Sequence, residues 1–157
     1  MDQNFKKKRL YQLLTYNKKH HLQLLKDSEI LTDELKRKLF SYSAIQFNHL
    51  NWEIRDQYLE LLENYMKEKI DSFNFRIGFC ERYESVQFKL KQIVLSPDKN
   101  SLDFADFLST INNCYKAYAD EPEFLRDKFD LGDLEFRTSI EAIYLKVQDF
   151  LNKEEMK

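Results

Sequence analysis

Glycine and proline are almost missing from this chain, with two of each in 157 residues. An all-β chain of many short strands needs turn residues at every reversal, so their scarcity excludes that architecture and leaves helices joined by a few loops. Long hydrophobic runs are also lacking. No uninterrupted apolar stretch approaches the roughly 18 to 20 residues that span a bilayer, and the opening MDQNFKKKRL has no apolar stretch behind it, so neither a membrane span nor secretion is expected. There are only two cysteines, Cys80 and Cys114. They fall at apolar positions of separate predicted helices, which reads as two buried, reduced thiols in a reducing compartment. Catalytic signatures are absent too: there is no HExxH, paired CxxC, GxSxG or phosphate-cradling glycine loop.

What the chain does have is aromatic bulk and charge. Thirteen Phe and nine Tyr supply large bodies for packing between helices, and 33% charged residues suffice for the outer faces. At this length one domain is expected, burying roughly two-thirds of the surface that the unfolded chain exposes. The Lys, Asn, Ile, Phe and Tyr bias suggests an AT-rich coding genome and describes the source more than the activity.

Six helical patterns follow from the spacing of apolar residues. The first runs from about Phe5 to Leu25, with Leu10, Leu13, Leu14, His21, Leu24 and Leu25 on one face, and breaks around Asp27-Ser28. Thr32 opens a second, which continues through Leu35, Leu39, Tyr42 and Ile45 and ends near Leu50. Asn51 caps a third, whose stripe is Ile54, Tyr58, Leu61, Leu62, Tyr65 and Ile70. Ser72 caps a fourth, carried by Phe75, Phe79, Val86, Leu90 and Ile93 to about Leu95. Gly78 lies inside it, at a cost of about 1 kcal/mol relative to Ala, and close approach of another helix would compensate. After the turn Ser96-Pro97-Asp98-Lys99-Asn100, Ser101 caps a fifth helix with Leu102, Ala105, Leu108, Ile111, Cys114, Tyr115 and Tyr118 as its stripe. A longer loop, Ala119 to Gly132, leads to the last helix, Asp133 to Leu151, with Phe136, Ile140, Ile143, Tyr144, Val147 and Leu151 inward and a frayed NKEEMK tail. Short connections favour antiparallel neighbours, so the expected architecture is an all-α antiparallel helical bundle, a four-helix core with two additional N-terminal helices.

Four stretches resemble one known family. They are LLENYMKEKIDSFNF, the amphipathic helix ending at Val94, the segment YADEPEFLRD and the closing LGDLEFRTSIEAIYLKVQDFL. Together, residues from about Trp52 to Asn152 resemble the colicin D-type bacterial immunity proteins, four-helix domains that bind and inhibit a toxin nuclease. The resemblance implies a compact four-helix fold and a non-catalytic inhibitory role. It leaves residues 1 to about 50 unmatched, and such an extension can cover the family's binding surface, supply another, or mean that only the scaffold is shared.

Charge supplies an independent line. From Asp98 to Asp149 twelve acids face six bases, a balance of −6, whereas the first fifty residues carry ten bases and five acids, a balance of +5. Acids crowded near a loop steer a basic partner and repel nucleic acid, so the candidate partner-binding residues are Asp120, Glu121, Glu123, Phe124, Asp127 and Asp130. The plainer reading is that these are solvated loop and cap residues. Lys6-Lys7-Lys8-Arg9 with Tyr11 and Tyr16 invites a nucleic-acid reading, but a net charge of −2 lacks the basic footprint of such a domain.

Metal or acid-base chemistry has less support. His20 and His21 are adjacent and point apart, while His49 and Glu53 have i, i+4 spacing but are separated by the boundary expected at Asn51. Asp103 with Asp106, and Glu60 with Glu63, sit at i, i+3, a spacing common among surface carboxylates. No enzyme, cofactor or metal is therefore expected. The expectation is a cytoplasmic protein-binding module, or one of an organelle stroma or matrix if organelle-encoded. Its alternative is a structural or accessory subunit of a larger assembly.

Overall fold

The computed structural model describes residues 33–85, 94, 96–118 and 130–156. Within them the chain is all-helical: α1 (Asp33–Glu53), α2 (Arg55–Met66), α3 (Ser72–Ser85), α4 (Lys99–Ala117) and α5 (Asp133–Glu155). No described helix is long and apolar enough to cross a membrane. The helix expected over Phe5 to Leu25, and the residues Val86, Leu90 and Ile93, lie outside the described residues.

The periodic stripes become the core. Tyr58, Leu61, Leu62 and Tyr65 of α2 are buried against Phe75 and Phe79 of α3, with Phe104, Leu108 and Ile111 of α4 and Phe136, Ile140, Ile143, Val147 and Leu151 of α5 completing the cluster. Ring contacts fix the helix directions. Tyr65 near the end of α2 meets Phe136 near the start of α5, while Trp52, just before α2, meets Phe150 near the end of α5. These two helices are therefore antiparallel. By the same logic Phe107 against Phe150 and Tyr118 against Phe136 make α4 antiparallel to α5. Gly78 meets the condition set for it. A Cβ there would lie 2.8 Å from Leu61 Cδ1, so the missing side chain is what lets α3 lie against α2.

Several boundaries differ from the expected ones, each for a local reason. The second predicted helix does not stop at Leu50. It runs through Asn51 to Glu53, and the break falls at Ile54, where φ −97° and ψ 20° leave helical geometry. Asn51 is buried and its Oδ1 accepts from the Tyr58 hydroxyl at 2.6 Å, so its side chain serves the core rather than a cap. Arg55 donates to the Trp52 carbonyl at 2.9 Å, satisfying an acceptor that the break exposes. Because no boundary intervenes at Asn51, His49 Nε2 and Glu53 Oε1 lie 3.1 Å apart on one helix, against expectation. That contact is an ion pair only when the imidazole is protonated.

The caps of α3 and α4 also shift. Asp71, not Ser72, caps α3 by accepting the Asn74 amide at 2.8 Å. Asp98, not Ser101, caps α4, with its carboxylate accepting the Ser101 amide at 3.1 Å and the Ser101 hydroxyl as well. The buried face also differs from the expected stripe at the start of α4. Phe104 is buried with Ser101, Leu108 and Ile111, whereas Leu102 is 45% exposed. The C-terminal tail is helical through Glu155, held by the Asn100 Nδ2 donation to Glu154 at 2.9 Å and by the Lys153–Asp149 pair.

Helix α1 packs against α4, with Trp52 on Phe104, and a buried side-chain amide ties it to a further segment. Gln46 accepts the Val94 N–H at 2.8 Å and donates to the Val94 carbonyl, which satisfies both ends of an otherwise costly buried group. Cys80 and Cys114 are both half-buried and free. Burial raises the pKa of each thiol, and for Cys80 the hydrogen bond to Glu84 adds to it, so both are neutral thiols rather than reactive thiolates.

Candidate functional site

The antiparallel packing brings the end of α2, the start of α3, the end of α4 and the start of α5 to one end of the molecule. This is where the acidic segment leaves and returns. Tyr118 and Leu131 form an isolated parallel bridge, and the Leu131 amide donates to the Ala117 carbonyl at 2.7 Å. The two ends of the segment are thus held side by side.

Beneath that bridge lies a polar cluster. The Tyr65 hydroxyl, on a ring with no exposed surface, is 2.6 Å from Ser72 Oγ, which donates to Asp133 Oδ1. The Tyr118 hydroxyl approaches the same carboxylate oxygen at 3.5 Å, a weak contact. Burial raises the Tyr65 pKa, opposed by the Ser72 hydrogen bond and the Arg137 charge, with Asp133 and Asp71 raising it further. Tyr65 therefore stays protonated at neutral pH and acts as a structural hydrogen-bonding group.

Two arginines flank the cluster, and both lie over aromatic faces. The Arg76 guanidinium is 4.4 Å from the Tyr118 ring centroid and 4.8 Å from that of Tyr115, and donates to the Tyr115 carbonyl at 3.4 Å. Arg137 lies 4.5 Å over Tyr65, donates to the Tyr65 carbonyl at 3.4 Å and is 3.9 Å from Glu68. Such stacking lets the rings share the cationic field and fixes the side chains.

Glu68 itself is unusual. Its φ of 58° places a non-glycine residue in the left-handed region just after α2. Its amide donates to the Tyr65 carbonyl at 3.1 Å and the Lys69 amide to Asn64 at 2.9 Å, a Schellman closure that normally uses glycine. Beside it a groove of about 260 Å³ runs between α2 and α5, lined by Met66, Glu68, Arg137, Glu141, Tyr144 and Leu145.

Of the residues assigned from sequence, Asp120, Glu121, Glu123, Phe124 and Asp127 lie outside the described residues. Asp130 is described, half-buried, immediately before the bridging Leu131. Among the described residues no group of three or more His, Cys, Asp or Glu is arranged to hold a metal ion. Arg76, Arg137 and Glu68 were not read from sequence. The arginines meet partners 39 and 72 positions away, which no local pattern encodes. Glu68 left no signal either, because a helix without a following glycine can end in other ways, as α4 does at Tyr118 with φ −65° and ψ 127°. No known protein family, curated protein or solved structure matches the chain.

Proposed function

We propose that this chain is a non-catalytic protein-binding module whose acidic segment, Asp120, Glu121, Glu123, Phe124, Asp127 and Asp130, meets a basic partner of the nuclease or toxin type. In the finer form of this reading, α2 to α5 are a four-helix core to which α1 and the helix expected over residues 5–25 are added. The reading resembles a colicin D-type immunity protein, and that resemblance rests on the sequence alone. The observation that carries the proposal is the closed base of the acidic segment, where Tyr118 and Leu131 pair over an aromatic core. A binding element on a rigid base loses less conformational entropy on association.

The test is capture of partners on the immobilised full chain, identified by mass spectrometry and repeated with Asp120, Glu121 and Glu123 reversed to Lys. A basic protein retained by the natural sequence, released by salt and lost on reversal is the expected outcome. Equal retention by both forms, with unchanged salt dependence, would sink the acidic-surface reading. A second reading, an accessory subunit of a larger assembly, draws on Phe73 and Leu134. These are 63% and 74% exposed and adjoin in sequence the Ser72 and Asp133 that bond each other. Co-purification of a multi-subunit complex in the same experiment would favour it.

A further inference from the structure

The outer face of α5 carries apolar side chains that no described helix covers. Leu134 is 74% exposed and Leu145 is 57% exposed. Helical geometry puts these two positions within about 20° of one another around the axis and about 16 Å apart along it. Between them on the same face lie Thr138 and Ala142, both short and both exposed, so a second helix can approach closely there. The Thr138 hydroxyl already donates to the Leu134 carbonyl at 2.9 Å and can leave water at little cost.

Leu145 is also a wall of the groove between α2 and α5, where Met66 and Tyr144 stand beside it. The helix therefore offers a projecting leucine near its start and an apolar recess farther along the same face. Such a pair is self-complementary. Under a two-fold axis that sets two copies of α5 antiparallel, each Leu134 meets the recess beside Leu145 of the other copy. The charges beside the stripe obey the same symmetry. Glu135 and Lys146 share one flank, and the two-fold axis brings each to the height of the other's counterpart; Arg137 and Glu141 are matched in the same way on the opposite flank. Glu135 and Lys146 are exposed and make no ion pair among the described residues, so both charges are available. A parallel arrangement would set Glu135 against Glu135 and Lys146 against Lys146, which like-charge repulsion disfavours.

We infer that this face of α5 receives a second copy of the chain, as an antiparallel two-fold pair in which Leu134 of each copy seats against Leu145, Met66 and Tyr144 of the other. A net charge of −2 sets little repulsion between copies. One helix face with the edge of the recess buries roughly 800 Å² over both copies, short of the ~1,200 Å² at which standard interfaces begin, so the pair is a weak and concentration-dependent one. The acidic segment between Tyr118 and Asp130 supplies none of these contacts, and the inference stands apart from the reading of that segment.

The test is sedimentation equilibrium of the full chain at low ionic strength, over concentrations from about 5 to 500 μM. The natural sequence is expected to pass from monomer to dimer with a midpoint of about 100 μM. Leu134→Ser, which removes an apolar contact twice per dimer, should weaken association about tenfold or more. Glu135→Lys alone and Lys146→Glu alone should each weaken it about fivefold, because each creates two like-charge pairs. Both reversals in one chain restore opposite charges and should restore the dimer. An equimolar mixture of the two single variants should associate more tightly than either by itself, since each like-charged set then meets its opposite. All three positions are exposed, so circular dichroism should show unchanged helicity. A monomer at the highest concentration, a dimer indifferent to Leu134→Ser, or single reversals whose effect the double reversal fails to repair would each overturn the inference.

Discussion

Replacing Ser72 by Ala tests whether the polar cluster under the acidic segment holds that end of the molecule together. The Tyr65 ring has no exposed surface, and Ser72 Oγ at 2.6 Å is the partner of its hydroxyl. Removing that oxygen leaves a buried hydroxyl unsatisfied, at a cost of about 1–3 kcal/mol. Asp133 is exposed and can turn to water, so its loss of the Ser72 donor adds little. Ala gains about 0.5 kcal/mol of helix propensity over Ser, which leaves a net loss of about 0.5–2.5 kcal/mol. Urea unfolding followed by circular dichroism would read it, and a thermal scan should show a fall of about 2–4 °C per kcal/mol. The sharper readout is a double-mutant cycle with Tyr65→Phe. Once Ser72 is gone, removing the orphaned hydroxyl should recover stability, so the double variant should be no less stable than Ser72→Ala alone. Simple addition of the two single costs would refute the claim that Ser72 and Tyr65 act as a pair.

Two further outcomes follow from the same geometry. Glu68→Gly should relieve about 1–2 kcal/mol of left-handed strain while losing about 0.4–1 kcal/mol to a freer unfolded chain, whereas Glu68→Ala keeps the strain. Because Glu68 is 81% exposed, its pair with Arg137 contributes at most a few tenths, so the Gly variant should exceed the Ala variant by about 1 kcal/mol in denaturant unfolding. Finding the Gly variant equal to or below the Ala variant would show that the turn is not strained. At the start of α4, burial pushes the Asp98 carboxyl up, but the hydrogen bonds from the Ser101 hydroxyl and amide outweigh it and leave the pKa below its ordinary 3.8. A depressed carboxyl stabilises above its unfolded value and loses that contribution as the pH falls through the folded one. Asp98→Ala should therefore cost about 1 kcal/mol at pH 7, and the gap should close as the pH drops below 3.8; a gap that persists at low pH would rule out the carboxylate cap.

The helical stripes were legible because burial repeats locally. Tyr58, Leu61, Leu62 and Tyr65 on α2, and Phe136, Ile140, Ile143 and Val147 on α5, are the interior that their spacing predicts. Short polar residues near helix ends were harder to place, since Asn51, Ser72 and Ser101 all satisfy the sequence rule for a cap yet are buried. A hydroxyl or amide bonds whichever partner the fold brings within about 3 Å, and here Tyr58, Tyr65 with Asp133, and Asp98 provided those partners. At the start of α4 the expected stripe named Leu102, whereas Phe104 is inside and Leu102 outside.

By itself the sequence determined the helical class, most of the buried faces and the opposed charge of the two ends of the chain. Those properties are sums over neighbours a few residues apart, or over composition. Only the tertiary structure decided that Arg76 and Arg137 are spent on aromatic faces, that Gln46 pairs with the backbone of Val94, and that Glu68 and Glu141 share a groove. Contacts between residues many tens of positions apart depend on how helices pack and cross, and helix packing is set by the whole core at once.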